Sequence, residues 1–93
     1  MIIAVDFDGT LLVNGEPNHT LFAQLISAQR RGAVLILWTC RTGESLLKAV
    51  QYCGERGLRF NYINENTEET VRRFGCNPRK VYADVYIDDK ATR

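Results

Sequence analysis

Asp6 and Asp8 follow an apolar run, Ile2-Ile3-Ala4-Val5, and Asp88 and Asp89 follow another, Val85-Tyr86-Ile87. Thr39, with Cys40 and Arg41 after it, ends a third run, Ala33-Val34-Leu35-Ile36-Leu37-Trp38, and Lys80 lies just ahead of the last. Short unbroken apolar runs of this kind read as strands buried on both faces, the habit of parallel sheets. Open parallel sheets bind ligands beyond the carboxyl ends of their strands. If these runs lie parallel, residues far apart in sequence therefore meet at one end of the sheet. Carboxylates gathered there repel one another unless a cation offsets their charge. A hard divalent ion with oxygen ligands is the simplest solution, and Mg²⁺ is the usual one where phosphate is handled. A lone strand-end aspartate more often starts a turn or caps a helix. Pairs at two strand ends, each behind its own apolar run, favour a site.

The elements that must position these groups alternate in period. Gly9, Asn14, Gly15 and Pro17 mark a loop after the first strand. Leu21, Phe22, Leu25 and Ile26 recur at helical spacing within residues 18–31, and Gly32 is the expected stop. A second helix is expected near residues 44–56, with Leu46, Leu47, Val50 and Cys53 on one face, Thr42 as N-cap and Gly54 or Gly57 as stop. Residues 60–63 form a weaker strand. Asn66-Thr67-Glu68-Glu69 looks like a capping box with asparagine as the cap, opening a short helix through Phe74 that Gly75 closes. Residues 81–87 are the last strand. The alternation predicts one α/β domain over residues 1–93, Rossmann-like, with about four parallel strands, right-handed crossovers and helices on both faces. A two-layer α+β arrangement is the competing reading.

Composition narrows the function. With 45% hydrophobic and 25% charged residues in 93, the chain is an ordinary folded domain, not a disordered or collagen-like one. Twelve Lys+Arg against eleven Asp+Glu give a net charge of +1, which is no basic footprint for nucleic acid or a membrane surface. A nucleotide or phosphorylated small molecule stays open. Cys40, Cys53 and Cys76 cannot all pair and fit no zinc spacing, so reduced thiols and a cytoplasmic location are expected. The first residues meet Asp6 too soon for a signal peptide or membrane span.

Asp6-Phe7-Asp8-Gly9-Thr10 after an apolar strand resembles the first signature of the haloacid dehalogenase superfamily, most of whose members are phosphatases. Thr39 at the end of the second strand matches the second signature, Lys80 the third, and Asp88 with Asp89 the fourth. The set is in order and spans nearly the whole chain. The resemblance implies that Asp6 is the nucleophile that forms an aspartyl-phosphate, and that Asp8 protonates the leaving oxygen and later deprotonates water. Asp8 must then start protonated, so neighbouring carboxylates are expected to raise its pKa. The resemblance further implies Mg²⁺ held by Asp6, the Asp8 carbonyl and the Asp88–Asp89 cluster. Thr39 would bind a phosphoryl oxygen, helped by backbone around Gly9 and Thr10 and by Cys40 and Arg41, while Lys80 offsets negative charge. An alternative takes residues 81–83 as the strand, with Asp84 and Asp88 as the acidic pair. Asp8 argues for phosphoryl chemistry, because dehalogenase members lack an aspartate there.

The stretches after the first and third strands are too short for a cap domain. The chain thus resembles capless members, whose open site suits a large phosphorylated substrate or is closed by a neighbouring copy in a homo-oligomer. Three other readings use the same residues: a phosphotransferase or mutase, a receiver-like phosphoacceptor that binds Mg²⁺, and a non-catalytic binding module. The receiver is disfavoured because its acidic pair comes first and its acceptor aspartate later. Arg41 is read equally as a ligand for a second phosphate or carboxylate and as a surface partner of Glu44. Cys40 reads as a small packing residue, His19 as a solvated neighbour of a helix cap, and residues 72–73 and 79–80 as solvated basic faces. Phe7 and Trp38 are assigned to the core.

Overall fold

The computed structural model describes residues 1–75 and 81–89. The strands β1 (Ile2–Val5), β4 (Val34–Leu37), β5 (Tyr62–Ile63) and β6 (Val85–Ile87) form one parallel sheet in the order β5-β4-β1-β6. Between β1 and β4 come a small hairpin, β2 (Leu12–Val13) and β3 (Glu16–Pro17), and the helix α1 (His19–Arg30). The helices α2 (Gly43–Glu55) and α3 (Glu68–Phe74) follow β4 and β5. The result is a small α/β protein with a four-stranded parallel sheet flanked by helices and, among the described residues, no cap. Among the described residues, no helix is long and apolar enough to cross a membrane.

Register explains why these strands need no polar face. Ile2 pairs with Val34 and Val5 with Leu37, so odd-numbered residues of both strands share one face and even-numbered ones the other. On the odd face Ile3, Val5, Leu35 and Leu37 pack with Leu21, Phe22 and Leu25 of α1 and with Ala49 and Cys53 of α2. On the even face Ala4 and Ile36 pack with Val81 and Ala83. At the margin of that face the Glu68 amide of α3 reaches the Tyr62 hydroxyl at 3.4 Å.

Local chemistry decides the element ends. The Asn18 side chain caps α1 by accepting from the Leu21 amide at 3.2 Å. Asn14 and Gly15, at φ 52 and 78, form a two-residue turn of the primed kind between β2 and β3. That hairpin was not expected, because strands of two residues are too short to show a period. In α2 the expected face is corrected at one position: Leu46, Val50 and Cys53 turn inward, but Leu47 is 69% exposed. Thr42 sits at the cap position without a side-chain capping bond. The cap of α3 is Thr67, whose hydroxyl accepts from the Thr70 amide at 3.1 Å, and not Asn66, whose side chain accepts from the Tyr82 amide instead. Gly75 ends α3 in the left-handed region at φ 74, as the sequence predicts.

The last strand is shorter than expected. Val81 and Ala83 are buried against the even face ahead of the strand, and the paired register with β1 begins at Val85.

Candidate active site

The chain runs from β1 outward to β4 and β5, then returns to the far side of β1 for β6. The order therefore reverses beside β1, and a crevice opens beyond the strand ends at such a point. Here a cavity of about 310 Å³ is lined by Asp6, Trp38, Thr39, Cys40, Asp88 and Asp89. The ends of β1, β4 and β6 each contribute.

Backbone bonds continue past the strands and hold this end of the sheet. The Asp6 amide donates to the Ile87 carbonyl at 2.9 Å, and the Trp38 amide to the Val5 carbonyl at 2.9 Å. The Asp6 carboxylate accepts from the Phe7 amide through Oδ1 at 2.8 Å. Burial raises the Asp6 pKa above its ordinary value. The Phe7 hydrogen bond opposes that rise, and the negative charges of Asp8, Asp89 and Asp88 add to it.

Thr39 is fixed from two sides. Its amide donates to Asn64 Oδ1 at 2.8 Å, and its Oγ1 accepts from the Arg41 amide at 3.2 Å. Asn64 follows β5 in the left-handed region at φ 53, a conformation asparagine tolerates better than most residues. Its role was not foreseen. The available signal was an asparagine directly after a strand, which ordinarily means only a turn.

Asp8 corrects the sequence-based expectation. Its side chain is not on the cavity wall but is gripped by Arg41, whose Nε and Nη2 donate to Oδ2 at 2.9 Å and Oδ1 at 2.8 Å. That guanidinium holds the Asp8 carboxyl below its ordinary pKa, the reverse of the rise expected from carboxylate neighbours. Arg41 also lies 4.7 Å over the centre of the Phe7 ring and donates to the Ser45 carbonyl at 3.3 Å. Its partner is Asp8 and not Glu44, which pairs with Lys48 at 3.8 Å on the surface.

Two expected phosphate contacts are also corrected. The Gly9 amide donates to the Leu12 carbonyl at 2.8 Å and is committed to the turn that its φ of 79 allows. Thr10 is buried and its amide donates to the Phe7 carbonyl at 3.2 Å, while among the described residues its Oγ1 has no partner. Phe7 is core at 1% exposure, whereas Trp38 is half-buried and lines the cavity. Asp84 is removed from the candidate ligands: its Oδ2 accepts from the Ile2 amide at 2.7 Å, at the amino end of β1. Lys80, Arg79 and Cys76 lie outside the described residues.

The donor set can be compared with what a hard cation takes. Among the described residues, no group of three His, Cys, Asp or Glu side chains is arranged to hold a metal ion. Mg²⁺ does not require such a cage, since it is commonly bound by one or two carboxylates with water and phosphate oxygens completing its shell. Asp6 with Asp88 or Asp89 on one cavity wall fits that smaller requirement.

No protein-family model matches the chain, and no curated protein matches it. A solved structure described as a conserved protein from Bacteroides thetaiotaomicron is 38% identical and superposes with a TM-score of 0.83, over 99% of this chain and 78% of that one. At that identity and coverage the likeness extends beyond the fold, and the chain belongs to the same family as this conserved Bacteroides thetaiotaomicron protein.

Proposed function

We propose that the chain is a Mg²⁺-dependent phosphohydrolase of the haloacid dehalogenase type, which passes the phosphoryl group of a phosphomonoester to Asp6 and then to water. The supporting observation is the meeting of Asp6, Thr39, Asp88 and Asp89 on one cavity at the point where strand order reverses.

The Phe7 amide holds Asp6 Oδ1 and leaves Oδ2 to attack phosphorus. The Oδ2–P bond forms as the bond from phosphorus to the ester oxygen breaks, and the departing oxygen takes a proton. Water then attacks phosphorus, the Oδ2–P bond breaks and inorganic phosphate leaves. Thr39 Oγ1 already accepts from the Arg41 amide, so its proton is left for a phosphoryl oxygen. Asp6, the Asp8 carbonyl and Asp88, with Asp89 beside them, would hold Mg²⁺. When bound, Mg²⁺ supplies positive charge against carboxylate and phosphoryl oxygens. Asp8 is the proton-transfer group. In the grip of Arg41 it is ionised and suited to taking a proton from water, and it must leave that grip to give one to the leaving oxygen.

The same ion pair favours a second reading. A site whose Asp8 stays locked in the ionised form cannot protonate a poor leaving group, so Asp6 would take a phosphoryl group only from a donor with a good one, as a phosphoacceptor domain does. One assay separates the two: hydrolysis of an aryl phosphate with and without Mg²⁺ by the wild type, Asp6→Asn and Asp8→Ala. The phosphohydrolase requires Mg²⁺-dependent release by the wild type, none from Asp6→Asn, and a loss of about 100-fold or more in Asp8→Ala. Wild-type rates from Asp6→Asn would sink it. A long-lived phosphorylated Asp6 in the unaltered chain would select the phosphoacceptor.

A further inference from the structure

We infer that the Trp38 indole is a specificity-determining wall of this cavity, and that the substrate is a phosphomonoester whose leaving group carries a flat aromatic or heteroaromatic ring. The inference rests on the phosphohydrolase reading for the place of the anion and names the part of the substrate which that reading leaves open.

Trp38 follows β4 directly, and strand alternation sends its side chain to the even face. There it meets Tyr86 edge-on, with ring centroids 5.6 Å apart and planes at 61°. Tyr86 is itself anchored, its hydroxyl accepting from the Ala83 amide at 3.0 Å and donating to the Val81 carbonyl at 2.5 Å. The indole is therefore seated on a fixed ring. Packing buries only part of it, and it also lines the cavity beside Thr39.

The other lining residues are Asp6, Asp88, Asp89, Thr39 and Cys40. Trp38 is the one large apolar side chain among them. A cavity of about 310 Å³ holds more than a phosphoryl group, and Trp38 is part of its wall. A flat ring placed there gains contact and π-interaction from a partner that loses little freedom on binding. A short aliphatic group of similar length gains much less.

Calorimetry with Mg²⁺ present tests this with benzylphosphonate and propylphosphonate, which share the anion, differ in the ring and resist hydrolysis. The wild type is expected to bind the benzyl compound about tenfold more tightly, a difference that falls to about twofold or less in Trp38→Leu and persists in Trp38→Phe. The chain has one tryptophan, so its fluorescence reads the contact in the unaltered protein: benzylphosphonate shifts or quenches it, and propylphosphonate at equal occupancy does so far less. Equal affinities in the wild type, a preference unchanged in Trp38→Leu, or no binding of either compound would overturn the inference. Turnover is scored separately. Ring preference without hydrolysis of any phosphomonoester removes the phosphohydrolase and keeps the wall, while hydrolysis without ring preference does the reverse.

Discussion

Arg41 and Asp8 form a bidentate ion pair, with nitrogen–oxygen distances of 2.9 and 2.8 Å, that ties the loop after β4 to the loop after β1. The guanidinium rests on the Phe7 ring, so the pair joins the core on one side and stays open to water on the other. Asp8 is lowered below its ordinary 3.8 by this contact. A lowered carboxylate contributes stability that is present above the unfolded value and lost as pH falls through the folded one. Arg41→Met should therefore flatten the acid side of the stability curve, below about pH 4. With the Asp8 side chain 56% exposed, the loss at neutral pH is expected to be about 1 kcal/mol or less, and smaller still in high salt. Melting temperatures across pH, in low and high salt, check both parts.

Asp6 has the opposite sign. Burial raises its pKa, so its ionised form opposes folding, and the favourable contribution present at low pH is lost as pH rises through the folded value. Asp6→Asn should remove that cost while ending turnover. At pH 7 its melting temperature is expected to rise by about 2–4 °C, the change that roughly 0.5 kcal/mol produces in a domain of this size. Near pH 3 the gain should disappear. An inactive variant with a lowered melting temperature at pH 7 would instead make Asp6 a structural residue.

Asn64 reaches Thr39 only through the Thr39 amide, so its effect must be one of position. Asn64→Gly deletes the acceptor and suits φ 53, and Asn64→Asp keeps an acceptor in place. If the cavity hydrolyses phosphomonoesters, Asn64→Gly should lose about tenfold in kcat/KM, with Asn64→Asp near the wild type. Steady-state kinetics on an aryl phosphate decides it. Equal losses in both variants would mean that the amide bond is not what matters.

Asp84 and Asp88 separate the two ends of the sheet. Asp84→Ala removes the acceptor for the Ile2 amide and should cost about 0.5–1.5 kcal/mol of stability, with Mg²⁺ affinity unchanged. Asp88→Ala should weaken Mg²⁺ binding instead. Calorimetric titration of Mg²⁺ alongside thermal melts distinguishes the pair, and reversed effects would return Asp84 to the ligand set.

The two described thiols should differ in reactivity. Burial pushes the Cys53 thiol up to about 11, whereas Cys40 is exposed on the cavity wall. At pH 8 a maleimide should label Cys40 in the folded protein and reach Cys53 only after denaturation. Mass-spectrometric mapping of the labelled sites checks this.

The layers and the order of the elements are legible in the sequence, because those depend on local signals. Unbroken apolar runs made the strands at Ile2–Val5 and Val34–Leu37, helical spacing turned Leu21, Phe22 and Leu25 inward, and Gly75 stopped α3. The meeting of Asp6, Thr39 and the Asp88–Asp89 pair is legible there too, since strand ends in a parallel sheet share one side. Tertiary structure decided where side chains beyond the strand ends point. Alternation no longer applies there, and each group takes the partner that packing brings within reach. Arg41 found Asp8 and so reversed the direction of its pKa, and Thr10 turned inward with Leu11 while Asp8 and Gly9 stayed out. Asp84 took the Ile2 amide at the amino end of β1, just ahead of the paired residues of β6. Trp38, apolar and next to a strand, carried no sequence signal that it would line a cavity. That depends on the through-space position of Tyr86, which the chain reaches only after crossing the whole fold.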